Sequence, residues 1–167
     1  MRILGVDPGL NTTGYGVIEI ETVPSRTIKL LEAGIIRPRS SDLLQNRINK
    51  IYQHLQDIIG EFHPTVMVLE KLYSHYRHPT TACQMGHIRG VICLLCAQQG
   101  LTLVEHSVKR IRKSLVGQGS ASKQQTQEWV ARMLNIDKNK LTLDASDALA
   151  LVLGYASMQR VTPSGDF

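Results

Sequence analysis

Met1 to Gly16 reads MRILGVDPGLNTTGYG, and this stretch decides the fold. An apolar run, Ile3, Leu4 and Val6, ends in Asp7 and is followed at once by Pro8-Gly9, so a carboxylate stands at the lip of a buried strand beside a forced turn. A second alternation, Tyr15, Val17, Ile18 and Ile20, follows a Gly- and Thr-rich loop short enough for the two strands to pair as a hairpin. A merely solvated acid has little reason to sit there. The useful question is what else in the chain points at Asp7.

Working outward, Arg2 to Val6, Gly14 to Glu21 and Thr27 to Ile36 are expected as three antiparallel strands, with Pro24-Ser25 in a turn. Ser40-Ser41-Asp42 offers cap side chains to a helix whose apolar residues Leu44, Ile48, Ile51, Leu55, Ile58 and Phe62 recur at spacings of four and three. His63-Pro64 closes that helix, because the residue before proline avoids the α region. Thr65 to Leu69 follows as a short apolar strand and delivers Glu70. Two apolar strands thus each end in a carboxylate. Laid side by side in parallel, as a strand-helix-strand unit places them, they bring Asp7 and Glu70 to one sheet edge. Either acid alone has a bland reading as a solvated strand end; the pair is more informative.

Lys71 to Pro79 is a loop carrying Tyr73, His75, Tyr76 and Arg77, either a polar surface loop or a set of aromatics and cations suited to unpaired bases. His75, His78 and His87 lack the accompanying ligand spacing of a zinc site. Thr80 to Gln99 reads as a helix, apolar on every side from Val91 to Ala97 and hence expected to be buried all round. Ala82, Gly86, Gly90, Cys93 and Ala97 make a small-residue stripe along it, for packing on the sheet or against a second subunit. Leu101 to Glu105 is a fifth strand. The three cysteines, Cys83, Cys93 and Cys96, are odd in number and lie in this apolar stretch, so they read as reduced core thiols.

Charge is segregated. Between Lys71 and Gln127 eight cations (Lys71, Arg77, Arg89, Lys109, Arg110, Arg112, Lys113 and Lys123) face one acid, Glu105, giving that segment +7 of a chain total of +5. Such a field suits a polyanion, the alternative being a solvated helix face. Ser122 and Gln125 form a capping-box pattern that puts Lys123 in the first turn of a helix, where free N–H groups also favour anions. That helix buries Val130 and Leu134, with Trp129 as a core residue.

The last helix starts at Leu143-Asp144-Ala145-Ser146-Asp147. Asp144 and Asp147 are three apart in its first turn and share a face otherwise made of Ala and Leu. No arginine or lysine lies between Thr142 and Gln159 to balance them, which points to metal ions as the counter-charge. Four carboxylates, Asp7, Glu70, Asp144 and Asp147, therefore have reason to meet. All-oxygen ligands suit Mg²⁺ or Mn²⁺, and two ions roughly 3.5–4 Å apart serve phosphodiester hydrolysis.

G-V-D-P-G with T-G-Y-G, then V-L-E, V-G-Q-G-S-A-S-K and D-A-S-D-A-L-A, taken in order over nearly the whole chain, resemble the RuvC family of Holliday junction resolvases. The resemblance implies an α/β, ribonuclease H-like fold with a mixed five-stranded sheet flanked by helices. It also implies a homodimer that makes paired nicks in four-way junction DNA, with two Mg²⁺ ions per active site, Mn²⁺ as a substitute, and a RuvA- and RuvB-type branch-migration motor as partner. By motif position the catalytic and metal-holding acids fall on Asp7, Glu70, Asp144 and Asp147, the junction-contacting aromatic on Tyr73, and the basic contacts near Arg112 and Lys123. With the charge pattern, the expected DNA-binding set is Tyr73, Arg77, Lys109, Arg110, Arg112, Lys113 and Lys123. The chain departs from the family pattern between His78 and Arg89, where His78 stands in place of an Asn and Met85-Gly86-His87-Ile88-Arg89-Gly90 replaces Leu-Gly-x-Ala-Arg-Gly.

Length and 43% apolar content fit one nuclease domain over 1–160 with 161–167 as a frayed tail. No apolar stretch reaches the roughly 18 residues of a membrane span and the start lacks signal-peptide character, so a cytoplasmic protein without membrane attachment is expected. Two rival classes share part of the pattern. An actin-like or sugar-kinase-like nucleotide binder would use Asp7-Pro8-Gly9 with Thr12 and Thr13 as a phosphate loop, and a non-catalytic junction-binding module would keep the cations without needing the acids.

Overall fold

The computed structural model describes residues 1–21, 27–71, 79–107, 110–111, 113 and 121–159. Five strands, β1 (Arg2–Asp7), β2 (Thr13–Glu21), β3 (Thr27–Ile36), β4 (Val66–Glu70) and β5 (Thr102–His106), form one sheet in the order β3-β2-β1-β4-β5. The first three make an antiparallel meander, while β4 pairs with β1 and β5 with β4 in parallel. The sheet is mixed, as expected, with β1 at its centre.

Among the described residues the sheet is covered by the helices α1 (Leu44–Phe62), α2 (Pro79–Gln99), α3 (Lys123–Leu134) and α4 (Leu143–Met158). The period of two in each strand sorts side chains between two cores. Leu4, Val6, Met67 and Leu69 join Ile51 and Leu55 of α1 and Ile88, Ile92 and Leu95 of α2. Ile3, Val66 and Val68 join Val130 of α3 and Leu149, Val152 and Leu153 of α4 on the other face. Continuing that alternation, Asp7 and Glu70 point to the α4 side.

Several local expectations need correction. The N-cap of α1 is Leu43 with no side-chain cap hydrogen bond: the helix begins one residue beyond Ser40-Ser41-Asp42, so the cap position falls on an apolar side chain that has no acceptor. His63 ends α1 in the left-handed region (φ 47°, ψ 54°), donating its N–H to the Ile59 carbonyl; avoidance of the α region before Pro64 is satisfied by this route and not by an extended one. The α2 helix is not buried all round: Ile88, Ile92, Leu95 and Cys96 are in the core, whereas Cys93, Ala97 and Leu94, the last 54% exposed, face outward. Gly86 and Gly90 of the small-residue stripe are exposed too, with open space where a Cβ would stand. Only Cys96 is a core thiol, its Sγ 3.5 Å from Met67 Sδ and its pKa pushed up to about 11 by burial; Cys83 and Cys93 are exposed. Among the described residues, no helix is long and apolar enough to cross a membrane. The expected tail 161–167 lies outside the described residues.

Candidate active site

Four acids are delivered by two independent devices. Parallel register pairs Val6 with Leu69, so Asp7 and Glu70 leave the sheet side by side. Across the hairpin, Asp7 is paired with Gly14. A Cβ on Gly14 would fall on the Asp144 carbonyl, and one on Gly5 would fall on the Ala148 carbonyl. The α4 backbone thus rests directly on β1 and β2, with Ala145 and Ala148 buried in the contact. Thr142 caps the helix, its Oγ1 accepting from the Ala145 N–H at 3.2 Å. Close docking of a capped helix start carries Asp147 to the carboxylates at the strand ends.

Asp7, Glu70 and Asp147 line one cavity of about 10 Å³, floored by Ile111, Ala150 and Leu151 and edged by Thr126. That is about the space of one water or one small ion. Asp144 lies one turn earlier on α4, half-buried, and is not part of that lining. Burial, reinforced by the neighbouring charges of Glu70 and Asp147 and a hydrogen bond with Glu70, raises the Asp7 pKa from 3.8 to about 8. The cluster is short of positive charge.

Part of the missing charge comes from Lys123, whose Nζ lies 2.8 Å from Asp147 Oδ2. Its pKa is raised first by that hydrogen bond and then by the charges of Asp147, Asp7 and Asp144. This corrects the expectation that α4 has no protein cation to balance its acids. The residue comes from the start of α3, where the expected capping box is present: the Ser122 N–H donates to Gln125 Oε1 at 2.8 Å and Gln125 N–H to Ser122 Oγ at 3.2 Å. Thr126 is buried in the next turn, its hydroxyl donating to the Ser122 carbonyl at 2.9 Å.

Arg89 was counted among the phosphate-attracting cations and serves otherwise. It is 9% exposed, donates to the backbone carbonyl of Glu70 through Nη1, and pairs through Nη2 with Glu105 on the adjacent strand. It therefore braces the ends of β4 and β5 and steadies Glu70 from behind. Of the remaining expected cations, Lys71, Arg110 and Lys113 are exposed. Tyr73, Arg77, Lys109 and Arg112 lie outside the described residues.

The donor set is all oxygen, crowded and starved of cationic charge, which is the chemistry that suits a hard divalent ion. Among the described residues, no three His, Cys, Asp or Glu side chains stand arranged as a ready-made metal cage. Asp7 is instead hydrogen-bonded to Glu70 and Asp147 is paired with Lys123. The nucleotide-loop reading fares worse, because Thr13 is fully buried with its hydroxyl donating to the Gly9 carbonyl at 2.8 Å and accepting from the Gly9 N–H at 3.2 Å. That hydroxyl is occupied within its own loop. Sequence reasoning missed Thr126, Ile111 and the bracing by Arg89; the Gly5 and Gly14 docking surface was visible as glycines inside strand patterns, a signal of close backbone approach.

A family profile described as Crossover junction endodeoxyribonuclease RuvC matches residues 3–155. A protein of that name from Rhodopirellula baltica is 42% identical over 151 residues, spanning 90% of this chain and 83% of the relative. Another from Natranaerobius thermophilus is 33% identical over 161 residues, spanning 96% of this chain and 98% of the relative. Among solved structures, Thermus thermophilus RuvC superposes with a TM-score of 0.84 at 22% identity, covering 96% of both chains. The same protein in complex with a Holliday junction substrate gives 0.84 at 20% identity over 96% of both chains. A yeast mitochondrial Holliday junction resolvase shares the fold more distantly, with a TM-score of 0.68 at 13% identity over 95% of this chain and 80% of the other.

Proposed function

The chain belongs to the crossover junction endodeoxyribonuclease RuvC family, and on that premise we propose that it resolves four-way DNA junctions by paired hydrolytic nicks centred on Asp7, Glu70, Asp144 and Asp147. The observation that carries this reading is the convergence of Asp7, Glu70 and Asp147 on one small cavity at the edge of the sheet.

Asp7 and Glu70, fixed by paired strands, and Asp147 with Asp144, fixed by the docked start of α4, are the residues that would hold Mg²⁺, or Mn²⁺ in its place. Two divalent ions held by these four acids would supply an activated water and charge stabilisation for the leaving oxygen. The protein groups do the rest. Rigid delivery of the acids by a strand pair and a capped helix fixes where a phosphodiester must lie, and positioning of that kind accounts for a large share of barrier lowering. Arg89 holds the Glu70 backbone, Ile111 and Leu151 limit water on the floor of the cavity, and Lys123 can exchange Asp147 for a phosphate oxygen. Lys71, Arg110 and Lys113 on the exposed flank supply phosphate contacts. Tyr73, Arg77, Lys109 and Arg112 complete the proposed DNA-binding set.

We extend the reading to a single nuclease domain in the cytoplasm that acts as a homodimer, since the exposed face of α2 (Gly86, Gly90, Cys93, Leu94, Ala97) gives two copies a flat surface on which to meet, and that works beside a RuvA- and RuvB-type motor. The test is incubation with an immobile synthetic four-way junction with and without Mg²⁺. Symmetric nicks in one opposed strand pair, only with metal, are expected; intact strands at junction-saturating protein with metal present would overturn the proposal.

A further inference from the structure

Toward the β3 side of β1, away from β4 and the Lys71 that follows it, lies an open cleft of about 620 Å³ lined by Asn11, Thr12, Arg37, Arg39, Ser40 and Ser41. Its position follows from sheet register. Asp7 is paired with Gly14, and Gly14 with Ile35, so the chain leaving β3 at Arg37 emerges from the same sheet edge two strands away from Asp7. At about 4.8 Å per strand spacing this is on the order of 10 Å. Asn11 and Thr12 belong to the loop that follows Asp7 directly.

The cleft is built for an anion. Pro38 is buried and anchors the segment, while Arg37 and Arg39 on either side of it are exposed. Among the described residues, neither arginine forms an ion pair. A third arginine, Arg47 of α1, stands behind the opposite wall and donates through Nη2 to the Leu10 carbonyl, 3.0 Å away, and to Asn11 Oδ1. Against these three cations residues 37–47 contain one acid, the half-buried Asp42. Hydroxyl and amide donors from Thr12, Ser40, Ser41 and Asn11 line the rest.

We propose that this cleft holds backbone phosphates of the DNA strand being cut, through Arg37 and Arg39, within a few nucleotides of the phosphate at the carboxylate cluster. The acids are then flanked by cations on both sides, so the strand is gripped upstream and downstream of the reacting phosphate. Arg47 is a positioning residue that keeps the Asn11 wall of the cleft in place. The inference rests on the junction-nuclease reading and adds a subsite to it.

Junction affinity measured by fluorescence anisotropy in EDTA from 50 to 200 mM KCl tests this. Each phosphate contact contributes about 0.9 to the slope of log affinity against log salt, so the double variant Arg37→Gln, Arg39→Gln should lose about 1.8 from the slope and bind roughly ten-fold more weakly at the upper end of this range. Thermal midpoints of wild type and variant should coincide, since both side chains are exposed. The double variant Arg132→Gln, Lys138→Gln removes equal charge near the far end of α3, about 18 Å along that helix, and should change the slope by less than half as much. Equal slope changes in the two double variants, or none in the first, overturn the subsite while leaving nicking by the wild type intact. A wild type that neither binds nor nicks the junction overturns the subsite and the proposed function together.

Discussion

Lys123 places its ammonium nitrogen 2.8 Å from the carboxylate of Asp147, although the two residues stand at the starts of different helices. One protein cation therefore occupies the position from which a metal-holding acid would be recruited. Replacing Lys123 with Ala removes a partner from an acid only 12% exposed at its side chain, while the lysine itself is half exposed. Metal-free stability should fall by about 1 kcal/mol, the range of a partly screened charged hydrogen bond, and the Mg²⁺ midpoint for thermal stabilisation should move to lower concentration. Thermal melts across a Mg²⁺ titration check both; an unchanged midpoint removes Lys123 from competition with the metal.

The pKa of Asp7, raised from 3.8 to about 8, sets a pH dependence with a definite sign. Below about pH 4 the carboxyl is protonated in folded and unfolded chains alike, and its burial carries no charge penalty. As the pH climbs toward 8 the unfolded chain ionises freely while the folded one resists, so the unfolded state gains and metal-free stability is lost across that window. Asp7→Asn should be more stable than wild type in EDTA at pH 9 and indistinguishable from it near pH 4. Each kcal/mol corresponds to about 2–4 °C in a domain of this size. A stability difference between the two proteins that does not grow with pH contradicts the account.

Gly14→Ala tests the docking of α4. Its Cβ has nowhere to go but onto the Asp144 carbonyl, so the helix start must shift. A stability loss of about 1–3 kcal/mol is expected from overpacking, read from the urea midpoint. Single-turnover nicking should fall by about 100-fold because the Asp147 carboxylate is displaced relative to Asp7, with junction affinity retained. Full activity in a folded variant would show that α4 need not lie this close.

Arg89→Met leaves the Glu70 carbonyl and the Glu105 carboxylate without their shared donor. Glu105 is partly solvated, so the cost should be about 1–3 kcal/mol and not the full penalty of a deeply buried broken pair. The Mg²⁺ concentration needed for half-maximal nicking should rise, and Arg89→Lys should restore stability better than it restores this midpoint, since an ammonium cannot reach both acceptors in the same fork geometry. Equal recovery of both would assign Arg89 a purely structural part.

Much of this arrangement was legible in the sequence because it follows from short-range rules. Val6-Asp7 and Leu69-Glu70 announce two strands ending in acids, and strand-helix-strand order makes them parallel neighbours. The Ser122–Gln125 box reads directly from its spacing. What could not be read was long-range pairing: that Lys123 would meet Asp147, or that Arg89 would be drawn to Glu105 and the end of β4, depends on how α3 and α2 settle on opposite faces of the sheet. Composition treats all cations of the segment alike, whereas packing sorts them into braces and surface contacts. The α1 cap failed for a local reason, since Arg39 to Asp42 form a turn and the helix starts only after it, with the apolar Leu43 at the cap position. The apolar run of α2 suggested burial on all sides, but an outward face of Cys93, Leu94 and Ala97 has the same composition as a buried one.

The central claim is that the carboxylate cluster cuts junction DNA while other residues hold it. The most direct measurement maps cleavage on a four-way junction with each strand separately end-labelled, using wild type and Asp7→Asn at saturating protein and Mg²⁺. The account predicts nicks at symmetric positions in two opposed strands for wild type, no cleavage by Asp7→Asn, and equal junction binding by both. Undiminished nicking by Asp7→Asn, or cleavage and binding lost together, would contradict it.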